Sequence, residues 1–171
     1  NVANALAALG AVRAIGVPFT TIAAEIGKPN VKSVVALGAL QGATGLLPAE
    51  SLLYTIRETL GKRAELVPLN EEAFRRGITR PLVLYWGVRR RRDLYMAELP
   101  ERWTREHANF HFVPVISEPQ PDDGWQGRTG LVHEAILKDF PDMSGHLVYA
   151  CGSLRMVEAA KPAFMAQGLG E

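Results

Sequence analysis

Apolar runs rich in β-branched and aromatic residues alternate with amphipathic stretches through the second half of the chain, and this alternation limits the fold more than any other feature. Leu82-Val83-Leu84-Tyr85-Trp86, the run 110–117 and His146-Leu147-Val148-Tyr149-Ala150-Cys151 read as strands. Residues 93–107, 131–139 and 154–167 read as helices, and a long polar loop separates the second strand from the second helix. Strand and helix in strict alternation are the mark of a parallel sheet joined by crossover helices, so the expected class is α/β.

The first half has a different character. Ahead of Thr79-Arg80-Pro81 the chain is rich in Ala, Gly, Leu and Val; beyond it lie all the Trp residues (Trp86, Trp103, Trp125) and all the His residues. Pro81 pushes Arg80 out of helical conformation, so a helix should stop there. Two units are expected, 1–79 and 80–171. In the first, helices are predicted over 4–13, 31–44, 49–60 and 71–76, with a short strand at 14–19. A further short helix, capped by Thr20 or Thr21, should end at Gly27, and Lys28-Pro29-Asn30 should turn. Gly38, Gly42 and Gly45 give the helix at 31–44 a shallow face for close packing. Pro48 should open the next helix, and Asn70 should cap the last, which Gly77 ends. The expected whole is a mostly helical N-terminal segment packed on the sheet.

Composition excludes several functions. With 47% hydrophobic and 22% charged residues the chain can build a core. Its net charge of +1 offers no field to draw in nucleic acid or an anionic membrane, and neither is expected as a partner. The most apolar stretch, 34–47, is interrupted by Gln41 and Thr44 and is shorter than the roughly 18 apolar residues of a spanning helix. A single cysteine rules out an internal disulfide and multi-Cys metal or iron-sulfur sites. The histidines show no metal-ligand spacing, and no metal is expected. A soluble protein of the reducing cytoplasm is the expectation. Asn1 opens the sequence without an initiator Met or a signal-peptide pattern, as a trimmed start would.

Chemistry is concentrated where the expected strands end. Cys151 follows an apolar run and precedes Gly152, which lets the backbone turn sharply into a helix, at the edge where α/β sheets bind ligands. An inert core thiol is the other reading of Cys151. Gly152 and Ser153 would offer helix N-terminal N–H groups to a phosphate or carboxamide, or simply make a turn. Gly87 and Arg89 form the equivalent turn after the first strand. Asp93 reads as a helix N-cap, and Arg90, Arg91 and Arg92 as a solvated loop.

Taken in order, Leu82 to Arg89 with Asp93-Leu94-Tyr95, the run Phe112-Val113-Pro114-Val115-Ile116-Ser117-Glu118, Trp125-Gln126-Gly127-Arg128-Thr129-Gly130, and Val148 to Ser153 with Met156 resemble the NAD-binding domain of ferredoxin reductase-type flavin and [2Fe-2S] oxidoreductases. The likeness spans 81–168. It implies a Rossmann-like sheet, NADH as cofactor, FAD in a separate flavin domain, and an iron-sulfur protein as partner. It also implies that Cys151 lies beside the nicotinamide, shaping the hydride-transfer pocket without bonding covalently, that Met156 packs beneath, and that Ser117 and Glu118 face the ribose. Glu118 can accept hydrogen bonds from ribose hydroxyls and repels a 2′-phosphate, favouring NADH. Like charges about 4 Å apart cost several kcal/mol at an effective dielectric near 20. Arg128 would offset part of this, or stand solvated. Arg89 would touch the cofactor or a flavin-domain carboxylate.

A second likeness rests on Val17-Pro18-Phe19-Thr20-Thr21-Ile22-Ala23-Ala24-Glu25-Ile26-Gly27, Val34 to Leu40 with Thr44-Gly45-Leu46, and Leu69 to Gly77. Residues 15–78 resemble the C-terminal part of the gamma domain of 2-oxoacid:ferredoxin oxidoreductases. That would make the chain a non-catalytic assembly module binding sister subunits through the 31–47 helix. On this reading the flavin barrel is not among these residues, nor is the Gly-Thr-Gly type loop that holds the pyrophosphate just upstream of Leu82. The 34–47 stretch is not a strand-linked G-x-G-x-x-G loop. The expected function is the NAD-binding portion of an NADH-dependent electron-transfer flavoprotein reductase, incomplete as it stands.

Overall fold

The computed structural model describes residue 26 and residues 31–170. The elements expected over 4–13 and 14–19, the helix closing at Gly27 apart from Ile26, and the turn at 28–30 lie outside them. Three helices lead: α1 (Lys32–Thr44), α2 (Ala49–Leu60) and α3 (Val67–Ile78). Then come β1 (Leu82–Val88), α4 (Glu98–Glu106), β2 (Phe110–Ile116), β3 (Arg128–Thr129), α5 (Val132–Asp139) and α6 (Leu154–Met165).

The sheet is parallel, in the order β1-β2-β3, as the alternation of apolar runs and helices predicts. Leu82 faces Phe110 across the first ladder and Val88 faces Ile116. Successive residues of a strand point to opposite faces, and both faces here are apolar. Leu82, Leu84 and Phe110 pack with Val35 and Ala39 of α1 and Trp103 of α4. Val83, Tyr85 and Val115 pack with Ile136 of α5, Met143 and Phe164 of α6. α1 and the crossover helix α4 therefore cover one face of the sheet, and α5 and α6 cover the other.

Small residues allow that cover to lie close. A methyl group added at Gly38 would overlap the Phe74 carbonyl oxygen, one at Gly42 the Ile78 carbonyl oxygen, and one at Gly77 the Val35 carbonyl oxygen. The shallow face of α1 is thus filled by α3 of the same chain, which removes the surface expected to bind sister subunits. Gly45 closes α1 in left-handed conformation, φ 58°, with its N–H on the Gln41 carbonyl oxygen. Leu53, Ile56 and Phe74 make a smaller core between α2 and α3.

Four expectations need correction. First, α3 runs from Val67 to Ile78 rather than over 71–76, because Pro68 suits its first turn and Gly77 is consumed by the contact with α1. Asn70 does not cap it; its side-chain amide donates to the Leu66 carbonyl at 2.8 Å. Second, α4 begins at Glu98, not 93, because residues 91–93 form a separate 3-10 turn. Third, the polar loop after β2 carries β3, paired through Val115 and Ile116. Fourth, 146–151 is not a strand of the sheet. Leu147 and Tyr149 join the cluster on one face while Val148 joins the other, so the alternation of a strand is kept without a ladder.

Candidate functional site

The carboxyl ends of β1 and β2 define one edge of the sheet, and their turns are bonded to each other. The Ser117 N–H donates to the Val88 carbonyl at 2.9 Å and the Glu118 N–H to the Arg89 carbonyl at 2.9 Å, extending the ladder two residues past the strands. The Ser117 hydroxyl lies 3.4 Å from the Val88 oxygen. Gly87 sits where a Cβ would come within 2.6 Å of Val132 Cβ, so its small size serves the seating of α5 against β1. Arg89 and Glu118 stand side by side, Nε to Oε1 3.7 Å, with side chains 78% and 60% exposed. Such a pair is weak in water, worth well under about 1 kcal/mol, and both groups remain open to a ligand.

Cys151 is half-buried, with Gly152 and Ser153 exposed beside it. Gly152 has φ +153° and would bring a Cβ to 2.8 Å from Met156 Cε, so a side chain is disfavoured there on both counts. Ser153 caps α6: its Oγ accepts the Met156 N–H at 3.3 Å. Met156 is half-buried and packs with the lower cluster. Burial raises the Tyr149 phenol above its ordinary value, and the Ser33 hydroxyl of α1 opposes the rise. The segment leading to Cys151 is therefore held by side chains.

Other residues take roles the sequence did not foresee. Arg128 keeps a side chain 42% exposed and pairs with Asp139 rather than Glu118; Nη1 binds Asp139 Oδ1 at 2.7 Å, and Asp139 also accepts the hydroxyl of buried Tyr85. Arg90 and Arg91 are not a loose cationic loop. Arg90 Nε meets Asp123 Oδ2 at 3.1 Å and Arg91 Nη1 donates to the Asp123 carbonyl at 2.9 Å. Asp93 is structural as expected, though it accepts the Arg90 N–H at 3.0 Å in the 3-10 turn instead of capping α4. Among the described residues no cluster of three or more His, Cys, Asp or Glu is arranged to hold a metal, and no helix is long and apolar enough to cross a membrane.

The glycine-rich run Gly42-Ala43-Thr44-Gly45 lies at the opposite edge. A Cβ on Gly45 would stand 3.9 Å from His107 Cε1, and Gly42 abuts Ile78; both partners precede strands. Seven residues of strand, about 23 Å, separate the two edges.

The sequence model of the oxidoreductase NAD-binding domain matches residues 40–162, crossing the expected seam at 79–81 and taking in that glycine-rich run. Thr44-Gly45 followed by Pro48 marks the run in the sequence, and no strand leads into it. The chain is 36% identical over 132 residues to the CDP-6-deoxy-L-threo-D-glycero-4-hexulose-3-dehydrase reductase of Yersinia pestis, covering 77% of this chain and 34% of that protein. It is 40% identical over 86 residues to the reductase component of phenol 2-monooxygenase from Pseudomonas sp. strain CF600, covering 50% of this chain and 24% of that one. Among solved structures, an Amycolatopsis cytochrome P450 reductase aligns with TM-score 0.50 and 34% identity over 63% of this chain and 31% of the other. The chain thus spans about a third or less of these relatives. None of these comparisons supports the gamma-domain likeness, and the chain belongs to the oxidoreductase NAD-binding domain family.

Proposed function

We propose that this chain is the NADH-binding part of an electron-transfer reductase in which a flavin domain passes electrons onward to an iron-sulfur protein. NADH supplies the hydride; the chain's residues bind and orient it. Glu118 accepts the ribose hydroxyls of the adenosine end and Ser117 lies beside it. Arg89, 3.7 Å from Glu118, softens the repulsion of a 2′-phosphate, so the preference for NADH is moderate. At the other end Cys151 walls the nicotinamide, and the Gly152-Ser153 turn offers the N-terminus of α6 to the carboxamide or a phosphate. Gly87, whose small size lets Val132 of α5 seat against β1, opens the turn that carries Arg89.

The observation that carries this reading is the unbroken family match through both turns, 87–89 and 151–153. The residues suit the coenzyme's two ends in type: an exposed carboxylate at the end of β2, and a half-exposed thiol next to a glycine turn against which Met156 closes. They fit its middle poorly. Gly42 to Gly45, inside the matched stretch and upstream of Leu82, stands in the chain where the family's pyrophosphate loop belongs, yet lies about 23 Å from the edge that needs it. Affinity for NADH is therefore expected on the order of millimolar.

Titration with NADH tests the reading. Quenching of Trp86 and shifts of the Cys151 and Gly152 resonances are expected, saturating in the millimolar range. A chain whose spectra do not change up to several millimolar NADH is not a coenzyme-binding unit.

A further inference from the structure

We infer that Arg90 is a positioning residue for coenzyme choice, holding the loop after β2 so that Glu118 meets the ribose in a fixed place; the inference rests on the NADH reading above. The four adjacent arginines 89–92 differ in their surroundings. The Arg89 side chain is 78% exposed and the Arg90 side chain 25%. Arg90 Nε bonds Asp123 Oδ2 at 3.1 Å, Arg90 Nη2 reaches Asp122 Oδ1 at 3.4 Å, and Arg91 Nη1 holds the Asp123 carbonyl at 2.9 Å.

Each end of this clamp is itself fixed. The Arg90 N–H donates to Asp93 Oδ2 at 3.0 Å, closing the turn after β1. The Asp123 carboxylate also accepts the Gln120 N–H at 2.9 Å, closing the turn after β2. The Gln120 N–H, and then Arg90, hold the Asp123 carboxyl below its ordinary value, as expected for an acid kept ionised between them. The Asp123 side chain is 9% exposed, so solvent screens its pair with Arg90 less than the open pair of Arg89 and Glu118.

Glu118 lies between these fixed points. On one side its N–H is bonded to the Arg89 carbonyl; on the other, Pro119 leads directly into the turn clamped by Arg90. A carboxylate discriminates against a phosphate only while it cannot swing away, because the repulsion falls with distance and with the water admitted between the charges. Release of the clamp leaves Glu118 anchored at one end. The loss should then appear as easier acceptance of the 2′-phosphate, with little change in the fit of NADH.

The experiment titrates NADH and NADPH into the whole chain and its variants R90A and R90K. The wild-type chain should prefer NADH. R90A should lose about three- to tenfold of that preference, chiefly through tighter NADPH binding. R90K, which keeps a cation toward Asp123, should retain most of it. D123N offers the same test from the other side of the clamp should R90A fail to fold, and should lose preference in the same direction. An unchanged NADH/NADPH ratio in the folded variants, or an equal loss of affinity for both coenzymes, overturns the inference while leaving the NADH reading intact. A wild-type chain that binds neither coenzyme overturns both.

Discussion

Strand β1 and the segment 146–151 are made of similar residues and end differently. Both alternate sides, one set of side chains joining the α1 cluster and the other the α5–α6 cluster. Yet β1 has seven residues in register with β2, whereas 146–151 belongs to no ladder. The difference teaches that an apolar alternating run specifies which way side chains face, not that a neighbour will be there to take its hydrogen bonds. Pairing is a non-local property. For function this matters because Arg89 and Glu118 are fixed by backbone bonds across the sheet, whereas the segment ending at Cys151 is followed by the Ser153 cap of α6 and has no ladder.

Matched truncations give the largest contrast. Leu84 in β1 and Leu147 in the unpaired segment contribute to the same cluster, the first 1% exposed and the second half-buried. Leu84→Ala should cost about 2–5 kcal/mol, removing a fully enclosed side chain and leaving a cavity between α1 and the sheet. Leu147→Ala should cost about 1 kcal/mol, because its surroundings can collapse and water can enter. Urea unfolding of the two variants measures both. Equal losses would mean that 146–151 is as firmly held as the ladder.

That contrast also marks how far the sequence could be read. The parallel ladder was legible because Leu82 to Trp86 and, His111 apart, the 110–116 run are apolar, and the close packing at Gly38 and Gly42 was foreshadowed by small residues at helical spacing, whereas Gly77 read only as a helix stop. For the candidate residues Glu118, Cys151 and Ser153, only the chemical types could be read from the sequence. What surrounds them could not: the partnership of Arg128 with Asp139 spans 11 positions and that of Arg90 with Asp123 spans 33, and local patterns say nothing about partners so distant. The boundary of α4 was missed because Asp93 satisfies a cap within its own 3-10 turn, a bond equally available before a longer helix. The glycine-rich run does not read as a phosphate loop for a related reason. Its usual sign is a preceding strand, and here the preceding residues are a helix packed on α3.

A smaller effect sharpens the comparison at the thiol itself. Ser153→Ala removes the side-chain acceptor of the Met156 N–H and should cost about 1 kcal/mol, some 2–4 °C in melting temperature for a chain of this size. The loss should be localised. Amides at the start of α6 should exchange faster while those of β1 and β2 keep their protection, as expected if the Cys151 side is a separately anchored unit. Uniform acceleration across both regions would unite them.

The smallest effect is a response to acid, confined to the approach to the unpaired segment. The Asp142 carboxyl is held below its ordinary value first by the Ser144 hydroxyl and then by the Ser144 N–H, the latter at 2.8 Å. An acid depressed in the folded state contributes stability that is present above its unfolded value, near pH 4, and is lost as pH falls through the lower folded value. Protonation leaves the Ser144 N–H only a neutral, weaker acceptor in the turn that leads into 146–151. The β1–β2 ladder contains no acidic side chain, and its backbone bonds do not titrate. Lowering the pH from 5 to 3 should therefore shift the Ser144 and His146 amide resonances and speed their exchange before those of Leu84 or Val115 change. Simultaneous change at all four positions would show that the turn melts only with the whole fold, and that the two regions share one cooperative unit.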